Sequence, residues 1–211
     1  CMVAQEKGVP YEIIPATPHS DEVKALNPLG QIPAMRHNGL DLVESTAIAR
    51  YIDTVFDGPA LIPTDPREAA PVNRWIGTVS TSVDQMIMRL YVVEYVVNKD
   101  EDGNAARDVI DKTVRRLPKI YALLDAAVAP GYLGGDNFTM ADCFLAPVLA
   151  SARRFQEAQE NMANSPNLQS YFRRCQSEAA LRILPADTNG GGCLAIGIRL
   201  IAATGVIERQ C

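Results

Sequence analysis

The sequence predicts an α+β chain: a small domain of mixed helices and strands, then an all-α domain. Three observations carry this. Short apolar runs bounded by turn signals fill the first 56 residues, the segment Asp57 to Pro66 holds three prolines, and apolar residues at three- and four-residue spacing dominate beyond it. The expected boundaries are 1–57 for the mixed domain, 58–66 for the linker, 67–185 for the all-α domain and 186–211 for an atypical tail. A length of 211 residues suffices for two small domains, each with its own core.

In chain order, Val3 to Lys7 reads as a helical end stopped by Gly8, Tyr11 to Ile14 as a short strand and Asp21 to Leu26 as a short helix. Ala34 to His37 and Asp41 to Val43 flank Asn38-Gly39, a two-residue turn signal between apolar runs, so a hairpin is expected whose second strand ends at Glu44-Ser45. Ala47, Ile48, Tyr51, Ile52, Val55 and Phe56 then mark an amphipathic helix with Ser45 at its N-terminus. Beyond the linker, Trp75 through Val97 predicts one long helix, bent or straight, and Val109 through Leu124 a second that stops near Pro130-Gly131. A third begins at Thr139, whose spacing to Asp142 is that of a capping box, and a fourth lies between Pro166 and Leu184 after the N-cap candidate Ser165. The role expected of Asp142 is therefore structural.

Two short stretches carry chemistry. Ile32-Pro33 is a tertiary amide for which the cis isomer is accessible, and a cis bond would turn the Ile32 backbone toward a ligand that could pair with it as an added strand. Ser45 and the unpaired N–H groups at the helix start suit a carboxylate, while Glu44 can accept from an ammonium. Together these groups fit an amino-acid head. Taken alone, Ser45 reads first as a plain N-cap and Glu44 as a solvated acid, since such caps are common.

The string from Asn27 to Tyr51, with its Gln31-Ile32-Pro33 turn and Glu44-Ser45-Thr46-Ala47-Ile48 helix start, resembles the glutathione-binding region of cytosolic glutathione transferases of bacterial type. Gly131 to Asp142 resembles the segment leading into the central helix of that family's C-terminal domain. The resemblance implies a thioredoxin-like N-terminal domain followed by an all-α glutathione-transferase C-terminal domain. It implies glutathione as co-substrate, with the Ile32 backbone beside a cis Pro33 pairing with the cysteinyl part, Glu44 and Ser45 holding the γ-glutamyl head and Gln31 helping nearby. It also implies a homodimer, a cytoplasmic location, an apolar electrophile as second substrate and a role in detoxification.

The function so implied is conjugation of the glutathione thiolate to electrophilic small molecules. A thiol of pKa about 8.5 needs a shift of about two units to be mostly ionised at neutral pH, worth about 2.7 kcal/mol, so positioning must supply much of the rest. A glutathione-dependent isomerase, dehalogenase or thiol–disulfide enzyme on the same fold remains open, as do a non-catalytic interaction protein and an inactive fragment. Met86, Met88, Tyr91 and Tyr95 could line the electrophile pocket or simply be core residues.

Both ends depart from the family pattern. The transferases open with a strand and a loop carrying the Tyr, Ser or Cys that acts on the sulfur, whereas Cys1 to Gly8 resembles the end of the helix that follows. The first strand and catalytic loop are thus expected to be missing, and no residue of this sequence is taken as catalytic. Cys1 lies too close to Gly8 to be the loop thiol. Losing an inner strand is expected to expose sheet edge. The tail from Ala186, with Gly190-Gly191-Gly192 and the apolar run Cys193 to Ala203, has no family counterpart; it fits a docking helix, a disordered tail or a gene-prediction artefact, and is too short to span a bilayer.

Composition excludes other classes. A net charge of −5 without a basic cluster argues against a nucleic-acid partner, and no membrane span is expected. Five scattered cysteines without CxxC or zinc spacing argue against a metal site and suit a reducing compartment.

Overall fold

The computed structural model of the chain describes residues 2–105, 107–177 and 197–200. The chain divides into two compact units, one of Ala4–Gly58 with Cys193–Cys211 and the other of Cys1–Val3 with Pro59–Gly192.

At the start of the chain, α1 (Met2–Glu6) ends before Gly8, whose φ of +65° is open to glycine and strained for other residues. β1 (Tyr11–Ile14) and α2 (Asp21–Leu26) follow, the latter capped by Ser20, whose hydroxyl accepts from the Val23 N–H. β2 (Ala34–His37) and β3 (Leu40–Val43) form the expected hairpin, and Asn38 and Gly39 both take positive φ, as the tight turn requires. β3 stops at Val43, short of the Glu44-Ser45 end expected for it, because α3 (Ser45–Val55) starts there. Met35, Ile48, Ala49 and Ile52 are buried between hairpin and helix. His37 ties the two together, its Nδ1 2.8 Å from the Tyr51 hydroxyl and its ring against Phe56. Lys7 and Asp53, both nearly buried, form an ion pair at 3.2 Å, with Lys7 also donating to the Asp53 carbonyl.

The sheet order is β1-β4-β2-β3, where β4 is Gly197–Leu200, antiparallel to β1 and parallel to β2. The expectation of an open inner edge is therefore corrected: four residues of the segment read as tail occupy the inner position and pair with both neighbours. These four residues are a strand, not part of a docking helix or a disordered tail. The rest of the segment read as tail, 186–196 and 201–211, lies outside the described residues, as do Cys1, Cys193 and Cys211.

The second unit is helical. Asp65 caps α4 (Pro66–Thr78), which leads without interruption into a wide π-helical stretch, Val79–Val92, and then α5 (Val93–Val96). The long helix expected here is thus real, with its winding changed in the middle. At the transition the Thr78 and Thr81 hydroxyls bond back to the Arg74 and Gly77 carbonyls and compete with the ladder. The second expected helix is two, α6 (Arg107–Val114) and α7 (Leu117–Ala127), because Pro118 lacks the N–H that continuity needs. α8 (Met140–Ala152) begins after Thr139 as expected and is buried over most of its surface against the π-helical stretch and α4. α9 (Gln156–Ala163) was not anticipated: a polar octet with only Ala158 buried gives no apolar period. α10 (Pro166–Ser177) follows Ser165, and its expected continuation to Leu184 lies outside the described residues.

Candidate ligand-binding site

The loop before β2 is built by Asn27. Buried to 3% exposure, its side chain donates to the Gln31 carbonyl at 2.8 Å and accepts from the Leu29 N–H at 3.1 Å, while its own carbonyl accepts from Gly30. Gly30 has φ +67° and leaves no space for a side chain: a Cβ would stand 3.0 Å from the His19 backbone. The Gly30 carbonyl in turn accepts from the His19 N–H at 2.8 Å. These bonds present Gln31 at the surface and Ile32 and Pro33 half-buried, with the Ile32-Pro33 bond cis.

The hairpin register joins the two motifs that the sequence separates by ten residues. Ala34 pairs with Val43, so the ladder closes immediately after Pro33 on one strand and immediately before Glu44 on the other. Adjacent strands are about 5 Å apart, which makes the two stretches neighbours at the open end of the hairpin. Glu44 holds the N-cap position of α3 with φ 69° and ψ 118°, a region that a non-glycine residue rarely adopts. Its side chain makes no cap bond, and Ser45 is the first helical residue rather than the cap. The first intrahelical bond runs from the Ile48 N–H to the Glu44 carbonyl at 2.9 Å, which leaves the N–H groups of Ser45, Thr46 and Ala47 outside the ladder.

Gln31, Glu44 and Ser45 are all exposed, and among the described residues their side chains make no hydrogen bond or ion pair. The chemistry on offer is specific. The N–H groups, the Ser45 hydroxyl and the helix dipole favour a carboxylate, the neighbouring Glu44 carboxylate can accept from an ammonium, and the backbone at Ile32 suits pairing with an extended chain.

Three groups that the sequence singles out, Asp142, Tyr91 and Tyr95, are held by partners within the helical unit. In the helical unit, Asp142 is fully buried and accepts from the Leu133 N–H at 2.8 Å, the Thr139 N–H at 2.7 Å and the Thr139 hydroxyl at 3.1 Å. Burial pushes its carboxyl up to about 6, against the pull of those donors. Tyr91 is core: its hydroxyl donates to Glu157 at 3.1 Å and accepts from the Ala158 N–H at 3.2 Å, and burial with the nearby Glu157 charge raises its pKa. Tyr95 donates to the other Glu157 oxygen at 2.7 Å, stacks on Phe155 and accepts from Arg107. Met86 and Met88 are half-buried on the π-helical stretch. Sequence reading missed the supporting roles of Asn27 and His37; the Asn27-Pro28 pair, a turn-initiating dipeptide, was the available signal for the first.

Among the described residues no group of three His, Cys, Asp or Glu side chains is clustered as for a metal ion, and no helix is long and apolar enough to cross a membrane.

The chain is similar to known proteins in sequence and in fold. Residues 1–54 match the family model of the glutathione S-transferase N-terminal domain and residues 107–174 that of the C-terminal domain. Over 157 residues the chain is 33% identical to mouse (Mus musculus) maleylacetoacetate isomerase, covering 71% of this chain and 70% of that protein. Over 161 residues it is 35% identical to glutathione S-transferase 3 of maize (Zea mays), covering 72% of each. The crystal structure of glutathione transferase F7 from Populus trichocarpa superposes with a TM-score of 0.77 at 26% identity, over 86% of this chain and 88% of that one. The chain belongs to the glutathione S-transferase family, enzymes that use glutathione.

Proposed function

We propose that Gln31, Ile32, Pro33, Glu44 and Ser45 bind glutathione, and that the chain conjugates its thiolate to electrophilic small molecules. The observation that carries this reading is the exposed polar corner where the hairpin register brings Glu44 and Ser45 beside the Ile32-Pro33 edge. The γ-glutamyl carboxylate sits on the α3 N-terminus and the Ser45 hydroxyl, its ammonium on Glu44, and the cysteinyl amide pairs with the Ile32 backbone. Conjugation forms a bond from glutathione sulfur to an electrophilic carbon, and the leaving group departs with the electron pair or, in an addition, the adjacent carbon takes a proton. Activation of the sulfur is assigned to none of the five residues. The same reading carries an apolar electrophile, a homodimer, a cytoplasmic location and a part in detoxification.

A second reading, glutathione-dependent isomerisation, is favoured by the likeness to mouse maleylacetoacetate isomerase. The two share the binding step and differ in the fate of glutathione, which conjugation consumes and isomerisation returns.

Calorimetric titration with glutathione tests the binding step, with saturable binding expected for the chain and at least tenfold weaker binding for Ser45→Ala. Equal affinity of the two, or no binding by the parent, would overturn it. Thiol consumption with an aromatic halide, set against turnover of maleylacetoacetate at constant thiol, separates the two readings.

A further inference from the structure

The inner strand of the sheet comes from a segment more than 150 residues away from its two neighbours. β1 and β2 do not pair with each other: β4 stands between them, matched to Tyr11–Ile14 on one side and to Ala34–Arg36 on the other. Without it the sheet would fall into a lone strand and a two-stranded hairpin, neither of which is stable by itself in water. The register brings this dependence to the ligand corner. Gly197 pairs with Ala34, the residue directly after Pro33, and Ala34 pairs on its other side with Val43, the residue directly before Glu44. The last rung of the β4 ladder and the last rung of the hairpin therefore share one residue, and that residue separates the two halves of the candidate site.

We propose that Gly197–Leu200 is a positioning strand for this site: the gap between β1 and β2 is a receiving slot, and its occupation by the tail holds Ala34, and through it the Ile32-Pro33 edge and the Glu44-Ser45 corner, in binding geometry. The positioning role rests on the glutathione reading given above, whereas the slot rests on strand pairing alone. Backbone bonds along four residues are few, so a separate peptide of the same sequence can enter the slot when the chain's own strand is disabled.

Two measurements on the full chain test this. Native-state hydrogen exchange of the parent is expected to show the amides of residues 198–200 protected together with those of β1 and β2, and further slowed by saturating glutathione, since coupling between slot and site is reciprocal. Ile198→Pro removes a ladder N–H from a strand paired on both sides. It is expected to weaken glutathione binding at least tenfold, with the emission of Trp75 in the helical unit unchanged, and a synthetic peptide of residues 195–203 is expected to restore binding.

Exchange of residues 198–200 at free-peptide rates would overturn the slot. Glutathione that slows exchange at Ser45 to Ala47 but not in β4 would overturn the positioning role, as would Ile198→Pro binding within twofold of the parent or a loss that the peptide does not restore. If Ile198→Pro loses its Trp75 signal and does not fold, the parent's exchange pattern decides. A parent that binds no glutathione overturns the functional reading and the positioning role with it, while β4 protection still reports on the slot.

Discussion

Two helix starts in this molecule carry the same kinds of group and put them to opposite uses. At α8, Thr139 and Asp142 stand three residues apart, the carboxylate is fully buried, and it accepts three hydrogen bonds from the chain itself. At α3, Glu44 and Ser45 are adjacent and exposed, and among the described residues neither side chain has a hydrogen-bonding partner. Spacing decides the difference. An acid at the third helical position reaches back to the cap N–H, whereas an acid at the cap itself, turned outward by a φ of 69°, does not reach its own helix. The first arrangement turns polar groups into stability, and the second leaves them free for the ligand proposed above.

The sharpest way to break this contrast is Asp142→Ala. It leaves the buried Leu133 N–H and the half-buried Thr139 N–H without their acceptor, at about 1–3 kcal/mol each, so a loss of about 4 kcal/mol is expected with the cap included. Urea unfolding followed by Trp75 emission measures it. Glutathione affinity per folded molecule should not change; an affinity loss parallel to the stability loss would mean that the two helix starts are not separable in function.

The pH dependence of stability sharpens the same point. Asp142 titrates at about 6 when folded and near the ordinary 3.8 when unfolded, so between these values the native state holds more protons. Its contribution is complete below about pH 4 and is lost as pH rises through about 6, a fall of about 3 kcal/mol for a shift of about two units. Unfolding free energies measured from pH 4 to 7 should decline for the parent relative to Asp142→Asn, which carries no titrating group at that position. A parallel course for the two proteins would sink the assignment.

At α3 the expected effects fall on binding. Ser45→Ala and Glu44→Gln should each raise the glutathione Kd about tenfold, or about 1.4 kcal/mol, and leave urea midpoints within the range of a neutral surface change. A large midpoint shift without an affinity change would show Ser45 and Glu44 to be ordinary capping residues.

What the sequence made legible follows the range of the interactions. The Asn38-Gly39 hairpin and the Thr139–Asp142 cap depend on near neighbours in the chain, and each is readable, whereas the meeting of Pro33 with Glu44 comes from the register of the hairpin. The break at Arg115-Arg116 was also local, since Pro118 announces it, but the apolar spacing of Leu117, Ile120 and Leu124 masks it. α9 carries too little burial to show a period. The place of Asn27 became visible only with the backbone groups it bridges, and β4 not at all, because its pairing with β1 and β2 joins residues far apart in the chain and four residues carry little signal.

The smallest expected effect is also the most discriminating. Glu44 holds a backbone conformation that costs a non-glycine residue about 1–3 kcal/mol, and no hydrogen bond of its side chain among the described residues offsets it. Glu44→Gly relieves the strain, partly opposed by the greater freedom that glycine gives the unfolded chain, so a net gain of about 0.5–1 kcal/mol is expected. The same change removes the proposed partner of the glutathione ammonium, so affinity should fall while stability rises. Urea unfolding and glutathione titration of this one variant therefore move in opposite directions if the corner is kept for binding. If both fall together, the strained conformation at Glu44 is held by a structural contribution of its side chain, and α3 joins α8 as a helix start that serves the fold.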